Sequence, residues 1–227
     1  EYQWDFRTHR AAGKIFSSGA NPYDPSILFP EAGARLRYTY PPATLFVYQI
    51  FALMEYHTAF HVFLILKSLL LIGLVFFWQK EFLGNNADPF FYIFCLLAFN
   101  SAVFIDLIAG NINLVEQVIL WVAFCFYLRH RLFLFCIFTL IAASFKMTPA
   151  FFLILLLLAD DRKKYQYFLG SVVAFFFYLL IQYFVMPEFF TWFIKNALSV
   201  VSERGEVSPS SYKLIGHAIR FLNDLTG

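Results

Sequence analysis

The chain of 227 residues is 60% hydrophobic and 14% charged, with a formal net charge of +2 at pH 7. Soluble domains carry about 25% charged residues and about 45–50% apolar ones, so this composition excludes a water-soluble fold. The small net charge, with no basic cluster interleaved with aromatics, excludes a nucleic-acid partner.

Taken in chain order, the sequence has no starting Met and opens in a polar stretch. It reads as a loop already in progress, so a fragment lacking an N-terminal span is expected. Residues 5–18 can form an amphipathic helix, which Ser17-Ser18-Gly19 stops before the rigid turn Asn21-Pro22-Tyr23-Asp24-Pro25. Pro41–Glu55 is apolar but too short to cross a bilayer, and is expected to be interfacial or re-entrant. Phe60–Trp78, Phe90–Ile108 and Tyr165–Met186 are each near the roughly 20 residues that cross a hydrocarbon core. Because the apolar residues do not form the ten-residue alternating segments of an outer-membrane barrel, helices are the spanning element. The expected division is an external loop with amphipathic and interfacial helices over residues 1–56, a transmembrane bundle over 57–186, and a second external region over 187–227.

Flanking charges give an orientation. Arg129-His130-Arg131 and Arg162-Lys163-Lys164 should both face the cytoplasm by the positive-inside rule. Leu132–Ala159 must then leave that surface and return to it, turning at Lys146-Met147-Thr148-Pro149. Its α-helical arms reach only about 21 and 15 Å, so the turn would lie below the outer surface, with Lys146 against protein or a water-filled cavity. The alternative is one span kinked at Pro149 with Lys146 snorkelling. In the hairpin reading, the Gly110-Asn111-Ile112-Asn113 turn and both polar regions share one outward-facing cavity.

Other chemistry is thinly signalled. Cys95, Cys125 and Cys136 lie in apolar blocks without metal-ligand spacing. His57 and His61 are four apart but lack the accompanying Glu of a helical zinc site. No metal or cofactor is expected. Lys67 lies mid-span and needs a polar partner, for which a missing helix is one source. Arg7, Arg10 and Lys14 form a helical stripe of the kind that faces solvent or anionic lipid.

An outward cavity has no access to cytoplasmic nucleotides, so an enzyme there would need a lipid-linked donor. Asp5-Phe6-Arg7-x-x-Arg10-Ala11-Ala12 through Ser18-Gly19-Ala20-Asn21-Pro22-Tyr23-Asp24-Pro25, followed by Tyr38-x-Tyr40-Pro41-Pro42, resembles the first external loop of polytopic GT-C glycosyltransferases. Gly110-Asn111-Ile112-Asn113, Phe145-Lys146-Met147-Thr148-Pro149 and Ser208–Arg220 are similar, in order, to the Gly-Gln-x-Asn, Lys-x-x-Pro and Asn-x-Ser…Arg segments of glycosyltransferase family 87. Asn111 stands where that pattern has Gln, and Ser208-Pro209-Ser210 lacks its Asn.

The resemblance implies an inverting mannosyltransferase of the GT-C type. It would take a polyprenyl-phosphate-sugar donor and a lipid-linked or cell-envelope glycan acceptor, in a bacterial plasma membrane with the site on the external or periplasmic face. A transporter or flippase of a lipid-linked or anionic substrate is the alternative, as is a related enzyme moving a pentose or an oligosaccharide. Asp5 matches the family's general base, and a carboxylate within hydrogen-bond reach of the attacking hydroxyl is what direct displacement requires. It equally suits the first turn of a helix as a dipole-stabilising acid. His9, four residues on, could orient Asp5. Lys146 and Arg220, with His217 one turn before it, are candidates for the donor phosphate; Arg220 would equally suit snorkelling to headgroups. Asn111 and Asn113, with Tyr23 and Tyr40 as stacking platforms, are candidates for substrate contact.

Overall fold

The computed structural model describes residues 3–84, 88–98 and 100–207. Among these residues the regular structure is entirely helical. The first three helices are α1 (Trp4–Ser17), α2 (Pro25–Ala32) and α3 (Thr44–Ala52). Then come α4 (Tyr56–Trp78), which runs into a π-helical turn Gln79–Leu83, and two short pieces, α5 (Pro89–Ala98) and α6 (Asn100–Ala109). The rest is α7 (Asn113–Leu128), α8 (Leu132–Phe145), a 3-10 arm Thr148–Leu158, α9 (Lys164–Val185) and α10 (Pro187–Val207).

Two of these, Tyr56–Leu83 and Lys164–Val185, are long and apolar enough to cross a bilayer. They leave large apolar side chains uncovered, among them Ile65, Leu69 and Phe76 on α4 and Phe176 and Phe184 on α9. Apolar surface on that scale is tolerated by lipid and not by water. The chain is an all-α membrane protein.

The 132–159 segment is a hairpin. Leu132 and Phe135 at the start of α8 share one core cluster with Leu156 and Ala159 at the end of the 3-10 arm. Tyr127, at the end of α7, donates to the Leu155 carbonyl at 2.9 Å. A single kinked span would hold those two ends tens of ångströms apart. The expected arm lengths are corrected, because residues 148–158 wind as a 3-10 helix. At about 2.0 Å per residue this arm reaches about 22 Å, and α8 at 1.5 Å per residue reaches about 21 Å. Equal arms bring the polypeptide back level with its start.

Glu81 pairs with Arg129, so the ends of α4 and α7 lie at this same basic end. From there Lys67 on α4, Asn113 at the start of α7 and Lys146 after α8 all stand about 21–24 Å up their helices. The three therefore lie at the end of the bundle remote from the Glu81–Arg129 pair.

Residues 3–52 cap this end. Gly13 of α1 lies against the backbone of α3, where an added Cβ would stand 2.6 Å from the Tyr48 carbonyl. Asp24 caps α2 by accepting from the Ser26 N–H at 2.8 Å, a helix absent from the sequence-based expectation. Tyr23 and Tyr38, both fully buried, anchor the connection, and α10 closes over them. Its buried Asn196 donates to the Tyr23 carbonyl at 2.8 Å and the Tyr38 carbonyl at 3.3 Å.

The Arg7–Lys14 stripe is tied to protein groups. Arg7 donates to the Tyr56 hydroxyl at 3.2 Å, Arg10 to the Met54 carbonyl at 2.7 Å, and Lys14 pairs with Glu31 at 2.6 Å. These basic side chains fasten α1 to α2 and to the corner between α3 and α4.

Candidate active site

Four residues singled out from the sequence meet where α1 touches the bundle. Phe6, fully buried, fills a socket formed by Phe51, Phe60 and Phe63, and so draws the first turn of α1 down beside α4. The turn between α6 and α7 closes against it: Gly110 has φ 71, and a Cβ there would stand 2.5 Å from the Phe6 Cβ. Glycine is required both by the left-handed backbone and by the lack of space.

That contact sets Asn111 beside Asp5, and its side-chain N–H donates to Asp5 Oδ2 at 2.7 Å. The Asn111 side-chain oxygen accepts from the Asn113 backbone N–H at 3.1 Å, an Asx turn that opens α7. The Asn113 side-chain oxygen in turn accepts from Lys146 Nζ at 3.0 Å. A chain of hydrogen bonds therefore runs from the carboxylate on α1 to the ammonium at the hairpin apex. Asp5 sits in the first turn of α1, where the helix dipole favours its charge, yet its Asn111 bond lies outside that helix.

Below this chain is a buried ion pair that the sequence expectation left open. Lys67, with no exposed surface, meets Asp106 Oδ2 at 2.5 Å and donates to the backbone carbonyls of Asp106 at 2.7 Å and Asn111 at 2.6 Å. Its partner is thus in this chain, and a missing helix is not needed. Opposite charges in two otherwise apolar segments were the signal available in the sequence; their separation of 39 residues hid the pairing.

An apolar groove of about 710 Å³ lies among α4, α5, α6 and α7. Its walls include Leu71 on α4, one turn from Lys67; Leu107, next to Asp106; and Leu114, next to Asn113. Trp78 and Trp121 lie further toward the basic end. The groove is lined by apolar and aromatic side chains with Gln117, and its walls are neighbours in sequence of the cluster's residues.

His9 lies apart from this chain of bonds. Its ring stacks on Tyr48 with centroids 4.4 Å apart and meets Tyr40 edge-on at 4.8 Å. Both ring nitrogens are buried without hydrogen-bond partners, so no hydrogen bond from His9 orients Asp5. Burial, followed by repulsion from Lys67, pushes its pKa down to about 3, and the imidazole is neutral at ordinary pH. Tyr23 is turned inward, its hydroxyl donating to the Tyr40 carbonyl at 2.7 Å. A fully buried ring has no free face for a sugar. Tyr40, half-buried against His9 and Tyr38, stays at the edge of the cluster. His217 and Arg220 lie outside the described residues. His61 has its Nδ1 against the His57 carbonyl at 2.6 Å, and among the described residues no group of three or more His, Cys, Asp or Glu could hold a metal ion.

A family model described as glycosyltransferase family 87 matches residues 38–224. The match covers the Asn111 turn, Lys146 and the ion pair, and it begins after α1. No curated protein and no solved structure matches the chain significantly.

Proposed function

Since this chain belongs to glycosyltransferase family 87, we propose that its donor is a polyprenyl-phosphate-linked sugar, mannose being the first choice. The acceptor is a lipid-linked or cell-envelope glycan, and the site faces the external side of a bacterial plasma membrane. The observation that carries this reading is the chain of hydrogen bonds from the Asp5 carboxylate to the Lys146 ammonium, in a helical bundle that also holds an apolar groove. A polyprenyl tail suits the apolar groove, and Lys146 is the cation assigned to its phosphate. An ammonium has three N–H donors, of which Asn113 takes one.

Sugar transfer in this reading is a direct displacement at the anomeric carbon, with inversion. Asp5 takes the proton of the acceptor hydroxyl as the new C–O bond forms. The bond to the lipid phosphate breaks, and the leaving phosphate carries away the electron pair. Lys146 stabilises the charge that grows on it, with Arg220 and His217 as further donors from the C-terminal region. Asn111 holds the Asp5 carboxylate in place, and Asn113 holds the ammonium. His9 supports Asp5 through the aromatic packing of α1. Tyr40 borders the acceptor side.

Purified protein in detergent or nanodiscs, given radiolabelled polyprenyl-phosphate-mannose and a glycolipid acceptor, should form a labelled product. A general base contributes about 10²–10⁴-fold, so Asp5→Asn should lower turnover by at least about 100-fold with the donor KM little changed. Full turnover by Asp5→Asn would remove Asp5 from the role of base. Absence of product with mannosyl donors, alongside product with pentosyl ones, would replace the sugar.

A further inference from the structure

We infer that Lys67 and Asp106 form a positioning pair for catalysis: the buried ammonium clamps the Gly110–Asn113 turn so that Asn111 reaches Asp5. The inference rests on the proposed role of Asp5. Lys67 does not act on substrate itself. An ammonium has three N–H donors, and the three oxygens around this one, Asp106 Oδ2, the Asp106 carbonyl and the Asn111 carbonyl, lie within 2.5–2.7 Å.

The position of those oxygens gives the pair its function. Two are backbone carbonyls: that of Asp106 in the last turn of α6, which also accepts the Gly110 and Asn111 N–H groups at 3.1 and 3.2 Å, and that of Asn111 in the turn after it. Drawing both onto one atom of α4 fixes the path of the turn on the bundle side. Gly110 against Phe6 fixes it on the α1 side. Between these two constraints the Asn111 backbone has little freedom, and its side chain is delivered to Asp5 at 2.7 Å.

A pair that only stabilised the bundle could sit anywhere along α4. Replacement of a buried ion pair by apolar residues of similar volume is often tolerated or stabilising. Fold and positioning can therefore be separated. The variant Lys67→Met/Asp106→Leu removes both charges together and leaves no buried charge unpaired. It should elute as a monodisperse peak with a melting temperature close to that of the parent. Its kcat should fall at least 10-fold with the donor KM within about twofold. Adding Asn111→Ala to it should then lower kcat by less than twofold more, although Asn111→Ala alone in the parent lowers it about 10-fold. Recovery of parental kcat in the double variant would overturn the positioning role, as would a full further loss on adding Asn111→Ala.

A second readout needs no substrate. Cysteines placed by Asp5→Cys and Asn111→Cys, with Cys95, Cys125 and Cys136 changed to alanine, should be joined rapidly by a one-carbon bis-thiosulfonate reagent. Joining should be at least fivefold slower once Lys67→Met/Asp106→Leu is introduced. An unchanged rate would overturn the inference. Joining of the cysteine pair that slows as expected, alongside a wild-type protein that turns over no tested donor, would instead count against the proposed substrate and leave the clamp standing.

Discussion

Burial of a neutral imidazole marks the pH dependence of stability. His9 in the folded protein has its pKa pushed down to about 3 from an ordinary 6.5, whereas the unfolded chain takes up a proton as soon as pH falls below about 6.5. Between those values the unfolded state binds more protons, so stability rises with pH. The contribution of this group is complete above about pH 6.5 and is lost progressively as pH falls toward 3. The melting temperature in detergent should therefore drop between pH 7 and pH 5. His9→Phe, which removes two unpartnered nitrogens from an aromatic box, should flatten that drop and leave the pH 7 value within a few degrees. A drop of equal size in His9→Phe would show that other groups are responsible. Asp5 and His9 lie four residues apart on one helix, yet one faces the polar turn and the other a nest of tyrosines. Spacing along the helix could not tell them apart, because both walls are supplied by segments remote in sequence.

Helix contacts turn on individual glycines. Gly13 lies where α1 crosses α3, with Tyr48 backbone atoms at 2.6 Å from any added Cβ. Gly13→Ala forces the two helices apart, and overpacking of this kind costs about 1–3 kcal/mol. Gly19 has φ 78 but open space around it. Its alanine variant meets only the backbone strain of a left-handed residue, about 1 kcal/mol. Melting temperatures should thus rank parent, then Gly19→Ala, then Gly13→Ala. The reverse order would refute the close approach of α1 to α3. The hairpin follows a similar local logic. An 11-residue 3-10 run is unusual, and here it makes a short sequence as tall as the 14-residue α8 beside it. The sequence-based lengths assumed α-helical rise on both arms and so underestimated this one. Helix type within a uniformly apolar stretch is decided by what it packs against, in this case Tyr127, Phe135 and α9.

At the scale of the molecule, the hairpin predicts which surfaces share a compartment. Single cysteines at His130 and Arg162, in a background without the native three, should be labelled by a membrane-impermeant maleimide from the same side of sealed vesicles. Labelling from opposite sides would rule out the hairpin. Apolar content alone places the chain in a bilayer, since no other solvent accommodates so much apolar surface. Four of the polar residues marked in the sequence, Asp5, Asn111, Asn113 and Lys146, join in one chain of hydrogen bonds. Asn111, Asn113 and Lys146 were legible because a polar residue within apolar sequence is costly unless it has a use, and Asp5 because it matches the pattern of the family's first external loop. Long-range packing is what holds Lys67 against Asp106, encloses His9, and lets two glycines set the distance between α1 and its neighbours. Those outcomes depend on segments tens of residues apart meeting at fixed depth. Apolar runs specify that helices form and roughly how far they reach, and side-chain packing selects which faces meet.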